Sequence, residues 1–188
     1  MANCVDLADI MEAVSCADSD NIAGVAQEIE IGFHEDVTSY PDKPSSSSGA
    51  MSMEDAGELD GDLTIKSGAK TCKFTFTDGT GEFTMTEQGE AGGENVLYKA
   101  TFERAKMSSA VFGFLNATRG RKLWAVVTDK NGTKYLLGDD VNHAKRVAAD
   151  AATTGTDSAS DVNKVPVSIE YVGARHLVFT GNVIKAGA

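Results

Sequence analysis

The side chains best equipped for chemistry in this 188-residue sequence are few and scattered. His34 is followed directly by Glu35 and Asp36, a grouping that would suit a metal or a general base, but a histidine beside acids is more often the polar end of a strand. His143 and His176 stand apart from it and from each other. Cys4, Cys16 and Cys72 make an odd set without Cys-x-x-Cys spacing, so neither a disulfide framework nor a zinc site is signalled. Reduced thiols are expected. The stretch GDLTIKSGAKT contains the residue types of a phosphate-binding loop, yet Ala69 separates Gly68 from Lys70 and breaks the adjacency by which amides and lysine converge on one phosphate. A turn leading into a strand is the expectation there. The oxygen-rich ELDGD and DSASD depart from calcium-loop spacing, and the glycines of DGTGEF and GEAGGEN precede strands rather than a helix. Neither a Gly-x-Ser-x-Gly elbow nor a His-Glu-x-x-His pair is present. No catalytic residue, cofactor-binding residue, cofactor or metal ligand is therefore expected.

Charge narrows the partners. A formal net charge of -11 and a pI near 4.6 argue against binding through phosphate neutralisation, which needs a basic face. No apolar run approaches the roughly 18 residues needed to cross a bilayer, and the start MANCVDLADIMEAV carries acids where a signal peptide needs basic residues. No membrane partner is expected. The length suits one domain with extensions.

The elements that must carry any site read mainly as strands. Residues 1–20 hold a short helical pattern, Val5, Leu7, Ile10, Met11 and Val14, and read as an N-terminal arm ahead of a domain over 21–188. Val25, Ile29, Ile31 and Phe33 mark the first core strand. Residues 41–62 hold two of the three prolines, a serine run and no sustained apolar period, which predicts a long loop ordered only against another chain. Met51, Met53 and Leu59 are its expected anchors on that chain. Cys72, Phe74 and Phe76 alternate with polar residues, as do Phe83 and Met85, and Asp78-Gly79 between the runs predicts an antiparallel hairpin. Tyr98, Ala100 and Phe102 extend that meander. Met107, Ala110, Val111, Phe114 and Leu115 then switch to helical spacing, predicting one helix over about 106–117 packed on the sheet. Leu123 to Val127 is apolar on both faces, with Trp124 as a core residue, and it turns at Asn131-Gly132 into Tyr135 to Leu137. Residues 142–163 are alanine-rich and then polar, suggesting a short helix and a connection. Val165, Val167, Ile169 and Tyr171 alternate in a strand whose Pro166 marks an edge or entry position, and HLVFTGNVI closes the domain. The expected fold is mainly β, an antiparallel sandwich or barrel with one packed α-helix.

Taken in order, NIAGVAQEIEIGF, the long loop, LTIKSGAKTCKFTFTDGTGEFTMTEQGE, VLYKATFERA, the helix and KLWAVVTDKNGTKYLLG resemble the tail tube (major tail) proteins of long-tailed bacteriophages, particularly forms from phages of Bacteroidetes. The resemblance covers about residues 20–140. It implies a virion protein, assembled in the bacterial cytoplasm, whose copies form hexameric rings that stack into a tube alongside other tail proteins, with DNA passing through unbound. Polar-face acids Glu82, Glu90, Glu103 and Glu170 are candidates for an acidic channel wall that keeps DNA from adhering. A head-decoration or head-to-tail connector protein shares the same character, and a carbohydrate-binding module is the alternative from another class. Unfamiliar enzyme sites rank below these.

Overall fold

A computed structural model describes residues 22–45, 51–157 and 161–187; the expected N-terminal arm lies outside them. The chain runs β1 (Val25–Phe33), β2 (Val37–Ser39), α1 (Met53–Gly57), β3 (Glu58–Leu59), β4 (Leu63–Ile65), β5 (Cys72–Thr75), β6 (Glu82–Gln88) and β7 (Asn95–Ala105). Then follow α2 (Ser109–Ala117), β8 (Leu123–Asp129), β9 (Lys134–Leu137), β10 (Lys145–Val147), β11 (Lys164–Gly173), β12 (Val178–Phe179) and β13 (Val183–Lys185). The fold is mainly β, as expected. A six-stranded sheet, β3-β12-β9-β8-β1-β5, faces a four-stranded sheet, β10-β11-β7-β6, and a three-stranded sheet, β13-β4-β2, covers part of its other side. Most pairs are antiparallel, while β3–β12 and β4–β13 are parallel.

Two cores explain why β8 is apolar on both faces. Leu123, Ala125 and Val127 point into the sandwich with Ile29, Ile31, Phe74, Phe102 and Ile169. Trp124 and Val126 point the other way, onto Leu59, Leu63, Ile65 and Phe179. A side chain of this kind stabilises by about 1.5–3 kcal/mol when fully buried, so the second core is a substantial part of the fold. Gly32 makes room for it, because a Cβ there would stand 2.5 Å from Cζ2 of Trp124. Pro166 sits near the start of β11, ahead of the residues that pair with β10, and so occupies an entry position.

Three expectations are corrected, and a fourth, the helix, is borne out with narrower bounds. The runs around Phe74 and Phe83 do not pair with each other: β5 pairs with β1, and β6 pairs with β7. The Asp78-Gly79 turn is real, with Gly79 at φ 76, but it carries the chain from one sheet to the other. Phe76 N still bonds Gln27 O in the first sheet, whereas Thr77 N already bonds Glu103 O in the second. Residues 41–62 are not one loop, since α1 and β3 lie within them. Ser52 Oγ caps α1 by accepting from Asp55 N at 3.0 Å, and β3 pairs with β12. The expected helix over 106–117 begins only at Ser109, after Lys106 at φ 69 and the capping Ser108, and Ala110 on its expected inner face is exposed. Within 142–163 no helix occurs among the described residues; Ala144 is buried and exchanges two 2.8 Å backbone bonds with Leu123, which draws the following residues into β10.

Candidate functional site

The register of the four-stranded sheet fixes where the candidate acids lie. Glu82 opposes Thr101, Lys99 opposes Glu170, and Glu103 opposes Pro166, so Glu82, Glu103 and Glu170 share the sheet's outer face. Strand alternation places Lys99, Lys145 and Lys164 on that same face. It therefore carries three acids and three lysines, and two of the acids are paired: Lys164 Nζ lies 2.7 Å from Glu103 and Lys99 Nζ lies 3.3 Å from Glu170. Glu90 stands off the face, exposed in the turn between β6 and β7. Of the loop anchors, Leu59 is committed to the second core of its own chain, Met51 is buried, and Met53 is half-buried at the start of α1. Leu59 could reach another chain only by leaving that core.

The site the structure brings together is a cavity of about 160 Å³ at one end of the sandwich, next to the second core. Tyr98 from β7 and Tyr171 from β11 are adjacent on the inner face because their positions are paired in register, and their rings stand 5.4 Å apart. Tyr40 and Lys43, from the segment after β2, form the opposite wall. Asp139 follows β9 and lies nearly buried in the lining. Its Oδ1 accepts from Val141 N and Asn142 N at 2.8 and 2.5 Å, and its Oδ2 accepts from the Tyr171 hydroxyl at 2.7 Å. Lys43 Nζ adds an ion pair to Asp139 at 3.1 Å and another to Asp140 at 3.2 Å.

No family model, curated protein or solved structure matches this chain.

The site's chemistry must therefore be read from its own groups. Burial opposes charge on Asp139, but the donors around it outweigh burial and hold its carboxyl below the usual carboxylate range. Burial, reinforced by the Asp139 charge, pushes the Tyr171 and Tyr40 hydroxyls well above the ordinary tyrosine value. Both phenols are neutral at physiological pH and act as hydrogen-bonding walls. Tyr98 donates to Arg175 O at 2.6 Å and accepts from Leu177 N at 3.0 Å, so its hydroxyl is also satisfied. The arrangement can hold chain segments together or receive an apolar group; it has no activated nucleophile.

His34, set apart in the sequence, lies beside this cavity. Its Nδ1 is 2.6 Å from the Tyr40 hydroxyl, and its ring is 6.0 Å from that of His143. Burial and the nearby Lys122 and His34 keep the His143 pKa below the ordinary histidine value. Among the described residues, no group of three or more His, Cys, Asp or Glu side chains is placed to hold a metal. Two of the three acids of ELDGD serve the backbone instead, with Asp60 accepting from Gly61 N and Asp62 from Asn182 N. Asp139 was hidden in LGDD, where the one usable signal was Gly138 at φ 128, a turn glycine directly before an acid that accepts from the turn's amides.

Proposed function

We propose that this chain is a non-enzymatic structural subunit that assembles with copies of itself, and that the assembly is a phage tail tube of stacked rings. The observation that carries the reading is the free edge of the four-stranded sheet. Strand β6 is seven residues long, and among the described residues no strand pairs with its outer side. Glu103 N bonds Thr80 Oγ1 and Glu103 O accepts from Thr77 N, so the odd-numbered residues of β7 direct their backbone groups toward β6. Their partners Glu82, Thr84, Thr86 and Gln88 are thereby spent on the ladder, while the N–H and C=O groups of Phe83, Met85 and Glu87 face outward. Soluble proteins commonly blunt such an edge with proline, a bulge or a cover, because it is a template for strand addition. A ring of copies supplies the missing cover.

The charge pattern is compatible with a conduit. If the outer face of this sheet lines the channel, its balanced acids and lysines give DNA no net basic surface on which to release counterions. The proposed partners are other copies of the chain, further tail proteins and DNA in passage, and the proposed location is the virion.

Light scattering and negative-stain microscopy on the purified protein over a rising concentration series test the proposal. Rings or tubes of uniform width are expected. A monomer at every concentration, in low and high salt alike, overturns it.

A further inference from the structure

The wall of the tyrosine cavity formed by residues 40–45 differs from the rest of the lining. It contains Pro41 and Pro44, which lack N–H groups, and it follows the short edge strand β2. Tyr40 packs against the second core and Pro41 is buried, while the polar attachments are made through side chains. Arg175 Nη1 donates to Pro44 O at 2.9 Å, His34 holds the Tyr40 hydroxyl, and Lys43 reaches Asp139 and Asp140. Asp139 is positioned without help from this segment, because Val141 N, Asn142 N and the Tyr171 hydroxyl already fix its carboxylate.

We propose that residues 40–45 form an electrostatically latched strap that closes the tyrosine cavity, with Lys43 as the removable bolt and the Asp139–Asp140 pair as its fixed catch. Opening turns the cavity into a cleft lined by Tyr98, Tyr171 and Leu177. The device stands on its own geometry and is independent of the assembly reading.

The charged and titratable groups facing the catch are Lys43 on the strap, Tyr40 at its root, Tyr171 on β11, and Arg175 in the same lining. The Lys43 side chain is 48% exposed and that of Asp140 70%, so salt reaches the bolt, whereas the Asp139 side chain is 12% exposed. A partly exposed ion pair of this kind shifts an opening equilibrium by up to about fivefold. That is enough to gate a strap without endangering the fold.

Site-resolved nitration with tetranitromethane, read by mass spectrometry, tests this. The chain has four tyrosines: Tyr40, Tyr98 and Tyr171 line the cavity, and Tyr135, stacked on Phe83, serves as internal reference. Lys43→Met keeps the apolar stem and removes the charge. It should raise nitration of Tyr98 and Tyr171 relative to Tyr135 by up to about fivefold at low salt. High salt should raise the same ratio in the wild type and add nothing in the variant. Lys66→Met, which removes an amine bonded to Glu35 O outside the cavity, should change neither. A ratio unmoved by Lys43→Met and by salt overturns the latch. If Lys43→Met loosens the whole fold and Tyr135 rises in step, the wild-type salt series decides: a rise confined to the cavity tyrosines supports the latch, and a uniform or absent one overturns it.

Discussion

Asp139 shows how one acid outside any recognisable motif organises an end of the molecule. Its carboxylate gathers two amides, a phenol and an ammonium group. The donors on the buried side lose their acceptor if it is removed, and an orphaned buried donor costs about 1–3 kcal/mol. Because the folded-state pKa is lowered, the stabilisation is fully present above the unfolded carboxyl value of about 4 and is lost as pH falls through the lower folded value. Asp139→Asn keeps one oxygen for the amides but cannot take the Tyr171 proton on its amide nitrogen. We expect Asp139→Asn to lower the urea midpoint at pH 7 and to flatten its acid limb between pH 5 and 2, measured by tyrosine and tryptophan fluorescence. An unchanged acid limb would show that other carboxylates carry the pH dependence.

At the scale of elements, alternation and turn chemistry were legible where an element pairs with its neighbour in sequence. The β6–β7 and β8–β9 hairpins follow from Phe83 and Met85 against Tyr98, and from Asn131-Gly132 before Tyr135. The Asp78-Gly79 signal was legible as a turn and misleading as a pairing. A turn glycine reports local φ, whereas the choice of sheet is made by partners such as Gln27 and Glu103, distant along the chain. The second core was hidden for a related reason. Leu59, Leu63 and Phe179 each sit in short apolar pieces with too few residues to show a period, and they acquire meaning only when Trp124 and Val126 face them. The tyrosine cavity shares that origin, being assembled from five separate stretches of chain. Leu59 decides between a core and an interface role. Leu59→Ala should cost about 2–5 kcal/mol in dilute, unassembled protein, the range for a buried leucine, as read by chemical denaturation. Near-zero loss in the monomer would return Leu59 to an interface role.

At the scale of the molecule, the sandwich protects its interior on most sides but, among the described residues, leaves β6 unpaired along its outer side, and this asymmetry is what a closed ring of identical subunits would satisfy. The backbone directions along β6 allow the edge to be tested apart from the fold. Thr86 bonds to Leu97 within the sheet, so Thr86→Pro removes a ladder bond and should destabilise the isolated subunit by about 1–3 kcal/mol. Glu87 has an exposed side chain and directs its N–H to the open side, so Glu87→Pro removes a donor that a neighbouring copy would use without breaking a ladder bond, along with a long 3.8 Å surface contact from its carboxylate to His176. The two substitutions are adjacent, both at exposed positions, and they differ chiefly in which way the lost N–H points. Glu87→Pro should therefore leave the thermal midpoint of the dilute subunit close to wild type while abolishing rings and tubes by microscopy and sedimentation. Tubes that form normally with Glu87→Pro would remove β6 from the interface and with it the main support for assembly through this edge.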